Sequence, residues 1–203
     1  MAETAKINID DAVLVDMCRR GDSKAIERLI LKYQNRIYNT ILKICANTED
    51  AAELTQDTFV KVIENIDKFE GRSGFYTWAF RIAVNLTLNY CKRNVQLGFR
   101  SLENSDSDDE HDEQGRTALK EFLTDESSPD PAAVVINKEL AEIAVKALMK
   151  LDDWQRAVIV LRDIEGMNYA QIADVLGIEH GTVKSRLSRA RSALREILEA
   201  VIQ

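Results

Sequence analysis

The side chains most able to do chemistry lie near the end of the chain, in the stretch NYAQIADVLGIEHGTVKSRLSRARSALR from Asn168 to Arg195. Lys184, Ser185, Arg186, Ser188, Arg189, Arg191 and Arg195 fall on one face of a helix that the pattern starts near Gly181 or Thr182. Val183, Leu187, Ala190, Leu194 and Ile197 recur at three- and four-residue spacing on the other face. Lys and Arg donate to guanine edges, Ser donates or accepts, and further arginines neutralise phosphates. A solvated helix face usually mixes signs, whereas this one is basic from Lys184 to Arg195. Ahead of it, Ile172, Val175 and Leu176 keep helical spacing, Ala173 allows close approach, and Gly177 suits a left-handed helix end. Two short helices around a tight turn, the second one basic, read as a helix-turn-helix that lays its second helix in the major groove of DNA.

A second concentration lies between Phe69 and Asn94. The loop FEGRSGF, Phe69 to Phe75, holds Gly71 and Gly74, which break the helices on either side. The loop's end and the helix that follows, from Tyr76 to about Asn94, gather Phe75, Tyr76, Trp78, Phe80 and Tyr90, among Arg72, Arg81, Asn85, Asn89, Lys92 and Arg93. Aromatic rings among cations and amides suit single-stranded nucleic acid, whose bases stack while cations follow the backbone. The same rings are also what a small domain needs for its core. Composition alone divides them about evenly between the two tasks.

These side chains must be held by helices. With 203 residues, 45 % hydrophobic, two prolines and eight glycines, the chain reads as all-α and long enough for two small domains. Asp10 or Asp11 caps a first helix to Arg20, with Leu14, Met17 and Cys18 inward. Ser23 opens a long helix whose apolar positions run from Ile26 to Ile44, and Thr48 is the candidate cap of a third. In that third helix Leu54, Thr58, Phe59, Val62, Ile63 and Ile66 form the inner stripe, while Glu53, Gln56, Asp57, Lys61 and Glu64 face elsewhere. After Pro131 a helix carries Val135, Ile136, Leu140, Ile143 and Leu148; then Asp152 caps one from Asp153 to Glu165 with Trp154, Val158 and Leu161 inward.

The net charge of −7 sits poorly with DNA binding until its distribution is considered. Residues 101–130 hold eleven acidic side chains against Arg116 and Lys120; the remainder carries 25 basic and 23 acidic residues. Residues 96–130 therefore read as a flexible acidic linker between domains 1–95 and 131–203. Two roles fit it: a solubilising tether, or a mimic of nucleic acid in a basic channel of a partner. The absence of an apolar run of spanning length points to a soluble, cytoplasmic protein. Cys18, Cys45 and Cys91 are too scattered for a disulfide or zinc framework, so the expectation is no metal and no cofactor. No glycine-rich phosphate loop or nucleophile motif occurs, and His111 and His180 lie in a linker and a turn, so no enzyme is expected.

Four stretches together, AELTQDTFVK at 52–61, FEGRSGFYTWAFRIAVN at 69–85, LRDIEGMNYAQIA at 161–173 and GTVKSRLSRAR at 181–191, resemble bacterial sigma factors of the extracytoplasmic-function (ECF) group, sigma-E type. The resemblance covers nearly all of the chain outside 96–130. It implies a sigma region 2 over 1–95 and a sigma region 4 over 131–203. It implies that Glu53, Gln56, Asp57, Phe59 and Lys61 dock on the beta-prime clamp of core RNA polymerase, with the beta subunit also a partner. It implies that Phe69, Arg72, Ser73, Gly74, Phe75, Tyr76, Trp78, Arg81, Ile82, Asn85 and Asn89 meet the −10 promoter element as single strand, with Phe69, Ile82 and Asn85 around a flipped base. Gly181, Thr182, Lys184, Ser185, Arg186, Ser188, Arg189 and Arg191 would meet the −35 element as duplex, with Lys184, Ser185 and Arg189 on bases and Arg186 and Arg191 on phosphates. An anti-sigma factor, an envelope stress response and a free monomer are further implications. The alternative is a conventional helix-turn-helix regulator, against which the Phe69–Asn85 stretch argues.

Overall fold

The computed structural model describes residues 10–101, 117 and 131–202; most of the acidic stretch, 102–116 and 118–130, lies outside them. Among the described residues there are eight α-helices and no strand. Helix α1 (Asp11–Arg19) starts at Asp10, whose carboxylate accepts from the Ala12 amide. Gly21 turns the chain with φ 79°, and α2 (Ser23–Cys45) begins behind Asp22, which accepts the Lys24 and Ala25 amides. Helix α3 (Thr48–Glu64) is capped by Asn47 rather than by Thr48. Ala46 turns left-handed at φ 60°, Asn47 is left extended, and its Oδ1 accepts from Glu49 N at 2.9 Å and Asp50 N at 3.0 Å.

Leu54, Thr58, Phe59 and Val62 are buried as the stripe requires, with Ile66 in a 3-10 turn at Ile66–Lys68. Ile63, expected inward, is exposed at the edge of a groove it shares with Cys18, Arg19, Ile26 and Ile30. Helix α4 (Phe75–Ser101) packs on α2 and α3. It continues past the expected boundary at 95, because only Gly98 opposes a helix there and one glycine costs about 1 kcal/mol.

The later half begins with α5 (Pro131–Met149). Asp152 caps α6 (Asp153–Ile159), accepting from Gln155 N at 2.8 Å. The expected single helix to Glu165 ends instead in a π-helical turn, Val160–Ile164, closed by Glu165 N to Val160 O at 2.9 Å. Such turns rotate the side chains that follow; here the next one is Glu165. Gly166, at φ 69°, then releases the chain into α7 (Tyr169–Leu176) and α8 (His180–Ile202). Leu140 and Trp154, expected inward, are 57 % and 44 % exposed. Leu148 and Val158 are buried as expected, and the further inward places on the two helices go to Ala141 and Val145, and to Ala157. Val135 and Ile136 lie among side chains outside the description.

The two halves share one continuous apolar core: α7 packs on α4, and α6 on α2. At their seam sits Glu165. Arg36 Nε donates to its Oε2 at 2.9 Å, Thr40 Oγ1 to its Oε1 at 2.9 Å, Lys43 Nζ to Oε1 at 3.3 Å and Tyr76 Oη to Oε2 at 3.3 Å. Arg36 also donates to the Glu165 carbonyl and lies 4.3 Å over the Tyr76 ring. Burial pushes the Glu165 carboxyl up, but Arg36, Lys43 and Thr40 outweigh it and hold the group below the ordinary carboxylate value. For Lys43 burial dominates and lowers it, although Glu165 pulls the other way.

Candidate nucleic-acid interface

The helix-turn-helix is built by local chemistry. Asn168 and Gln171 form a reciprocal capping box, each side chain accepting the other's backbone amide at 2.9 Å, which fixes the start of α7. Gly177 ends it at φ 63°, a conformation that side chains with a Cβ rarely adopt. Val183, Leu187 and Ala190 are buried and seat α8, which begins at His180, slightly earlier than the pattern suggests.

Seating that stripe turns Lys184, Ser185, Ser188, Arg189 and Gly181 to solvent, with Thr182 half-buried and its carbonyl accepting from Ser185 Oγ at 2.9 Å. Two of the basic residues are not loose. Arg186 lies 4.9 Å over the Trp154 ring, and Arg191 is ion-paired with Asp163. The Asp163 hydrogen bond also raises the Arg191 guanidinium above its ordinary value. A shallow cavity of about 290 Å³ runs along the face, lined by Tyr169, Lys184, Ser188, Arg191, Ser192 and Arg195. Arg162 lies 5.3 Å from the Tyr169 ring and donates to the Met167 carbonyl at 2.7 Å. Trp154, Asp163 and Tyr169 thus frame the basic face, and the sequence reading omitted all three. The sequence placed Trp154 inward, and only the structure shows its indole 44 % exposed.

In the second concentration the structure divides the rings. Phe75 is buried against Tyr33, with ring centres 5.5 Å apart. Tyr76 packs on Phe80 at 4.2 Å and turns its hydroxyl to Glu165. Both were expected on the single-strand face; Phe75 is buried and serves the packing of α4 instead, whereas Tyr76 packs there while staying half-buried. Phe69 and Trp78, half-buried and 5.3 Å apart, remain at the surface with half-buried Ile82 and Asn85 and exposed Arg81 and Asn89. Trp78, Ile82, Asn85 and Asn89 follow helical spacing, so one edge of α4 carries apolar, amide and cationic groups together.

The loop places Arg72 and Gly74 in solvent and Ser73 half-buried, with Arg72 paired to Glu70. Its base is pinned from α1: Arg19 donates to the Ile66 carbonyl at 3.3 Å and to the Phe69 carbonyl. No motif in the sequence pointed to this role of Arg19, because the carbonyls it reaches lie far along the chain, although it also pairs locally with Asp16 at 3.3 Å.

On α3, Glu53, Gln56, Asp57 and Lys61 are exposed on one side, joined by Val60, which is 53 % exposed. Phe59 is not among them. It is 6 % exposed on the opposite side of the helix, so it supports this surface from within and does not present a ring to a partner. Among the described residues no cluster of three or more metal-ligating side chains occurs, and no helix is long and apolar enough to cross a membrane.

Comparison with known proteins gives this geometry a family. The family description Sigma-70 region 2 matches residues 29–96, and Sigma-70, region 4 matches residues 141–194. The chain is similar to the ECF RNA polymerase sigma-E factor of Escherichia coli K12, with 31 % identity over 96 % of this chain and 97 % of that one. It is 33 % identical to the RNA polymerase sigma-H factor of Pseudomonas aeruginosa, over 95 % of this chain and 96 % of that one. Among solved structures, CnrH in complex with the cytosolic domain of CnrY aligns over 94 % of this chain and 97 % of that one, with TM-score 0.60 and 26 % identity. The sigma factor RpoE of Bartonella quintana, solved with the anti-sigma factor NepR, shares the fold at TM-score 0.57 and 23 % identity, over 87 % and 98 % of the two chains. The chain therefore belongs to the sigma-70 family, in its ECF group. Within that family it is an alternative sigma factor of the sigma-E kind, directing transcription.

Proposed function

We propose that this chain carries out promoter selection without a catalytic step of its own, by lending core RNA polymerase two separate readings of DNA. The observation that carries the proposal is the pairing of an exposed basic face on α8 with a surface of rings, amides and cations on α4. Lys184, Ser185 and Arg189 read base edges of the −35 duplex, and Arg186 and Arg191 meet phosphates. Phe69, Trp78, Ile82 and Asn85 receive an unpaired base of the −10 element, with Arg72, Arg81 and Asn89 on the strand around it. A captured base favours the melted promoter by its differential affinity for that state over closed duplex. Glu53, Gln56, Asp57 and Lys61, with Val60 between them, form the surface for the polymerase clamp.

In this reading the boundaries of the two DNA-reading domains are 1–95 and 131–203, and the acidic stretch between them follows the interior of the polymerase. An anti-sigma partner is suggested by RpoE of Bartonella quintana, which was solved with the anti-sigma factor NepR bound, and an envelope stress response by the sigma-E relatives. The test is in vitro transcription with purified core polymerase on a randomised promoter library. Enrichment of paired −35 and −10 sequences is the expected result; transcripts no more selective than those of core polymerase alone would refute it. Selective binding to a palindrome without polymerase would support the conventional regulator instead.

A further inference from the structure

Trp154 is a large apolar side chain left exposed beside the basic face of α8. It stands on the first turn of α6, three and four residues ahead of the buried Ala157 and Val158. That spacing puts its ring at the rim of the core that α6 shares with α8. Arg186 holds the matching place on α8, three residues after Val183 and four before Ala190, both buried. The two long side chains meet at the rim, with the guanidinium carbon 4.9 Å from the centre of the Trp154 ring.

Arg186 is held differently from Arg191, its neighbour on the same helix. Arg191 is paired with Asp163, a carboxylate that competes with a DNA phosphate for the same donors. Among the described residues Arg186 has no acidic partner: Asp153, next to Trp154, is paired with Arg156, and Asp152 caps α6. A ring attracts a cation through its quadrupole without neutralising it. A guanidinium carries its N–H donors in its own plane, so one held over a ring keeps the outer edge of its fork for a phosphate. The contact also restricts a flexible side chain before DNA arrives, so less freedom is lost on binding.

We propose that Trp154 is a positioning residue of the duplex interface, whose indole holds the Arg186 guanidinium ready for a backbone phosphate of the −35 element. This role rests on the promoter reading proposed above, in which Arg186 meets phosphate. Trp154 acts through Arg186 and touches no base. It therefore adds affinity and leaves base preference alone, because phosphate contacts carry no sequence information directly.

Fluorescence anisotropy of a labelled −35 duplex compares the full-length chain with Trp154→Leu, Trp154→Phe, Arg186→Ala, and Trp154→Leu combined with Arg186→Ala. Leucine keeps apolar bulk at the rim and removes the ring, whereas phenylalanine keeps a ring; circular dichroism checks helix content, and Trp154→Met serves if leucine costs helix. Trp154→Leu should weaken binding about two- to fivefold, the span of an exposed cation–π contact, and Trp154→Phe should recover most of that loss. Arg186→Ala should flatten the plot of log K against log salt by about 0.9, and adding Trp154→Leu to it should cost nothing more. A loss from Trp154→Leu that persists undiminished without Arg186, a phenylalanine no better than leucine, or an Arg186→Ala slope equal to that of wild type overturns the proposal.

Nuclear magnetic resonance reads the contact without DNA. The indole ring current displaces the Arg186 Nε–H proton resonance of the free protein; the displacement is lost in Trp154→Leu and kept in Trp154→Phe. A wild-type resonance at the ordinary arginine position overturns the contact itself. A chain that shows the displacement but does not prefer a −35 duplex to a scrambled one refutes the function proposed above. A chain that binds selectively while the two losses simply add overturns only the role of Trp154.

Discussion

Arg191 provides a quantitative test of the duplex-binding face, because the structure gives it an acidic partner. Its guanidinium is paired with Asp163, and the two side chains are 50 % and 37 % exposed. A pair this exposed contributes about 0–1 kcal/mol, after solvent screening and side-chain entropy. Asp163→Asn should therefore leave the unfolding midpoint nearly unchanged while freeing one cation on the DNA side. If Arg191 must leave Asp163 to meet a phosphate, binding to a −35 duplex tightens by up to about fivefold, the equivalent of about 1 kcal/mol. The phosphates neutralised are then the same in both proteins, so the plot of log K against log salt keeps its slope in Asp163→Asn. Arg191→Ala should flatten that plot by about 0.9, and adding Asp163→Asn to it should have no further effect. Fluorescence anisotropy of a labelled duplex over a potassium chloride series measures all three variants. If Asp163→Asn weakens binding, Asp163 positions Arg191 rather than restraining it, and the reasoning above is wrong.

The other predictions concern the remaining surfaces. Lys184→Ala or Arg189→Ala should cost about 1–3 kcal/mol at the −35 element and relax base preference there; an unchanged profile in a promoter-library selection removes that residue from base reading. Asn85→Ala should reduce strand opening, seen by permanganate reactivity at the −10 element, more than it reduces duplex binding; equal losses in both would remove Asn85 from the base pocket. Asp57→Arg should lower co-purification with core polymerase at constant circular dichroism, whereas full retention would take Asp57 off the docking surface. Burial pushes the Cys45 thiol up to about 11 and Cys91 up to about 12. Both thus remain protonated when folded. Unfolded thiols ionise from about pH 8.5, so stability should fall as pH rises from there toward 11, in step with faster alkylation at Cys45 and Cys91; a flat stability profile above pH 9 would contradict the burial of these groups.

Much of the molecule was legible because its causes are local. A capping box at Asn168 and Gln171, a left-handed turn at Gly177 and an apolar stripe through Val183, Leu187 and Ala190 each act within a few residues. Together they define the helix-turn-helix and turn its basic residues outward before any long-range contact is considered. The resemblance added the polymerase and promoter roles, which periodicity alone could not have supplied.

Only the tertiary structure decided which side of a mixed helix meets solvent. Phe59 and Phe75 have the residue types of a binding surface, yet α3 and α4 spend them on packing, because a ring does not record which neighbour will cover it. Trp154 went the other way, exposed beneath Arg186. The roles of Arg19 at the loop and of Glu165 were invisible in the sequence for a further reason: the groups they reach there lie about 50 residues or more away along the chain. Helix propensity and periodicity report the first few neighbours, whereas a buried carboxylate is compensated by whatever the fold brings to it.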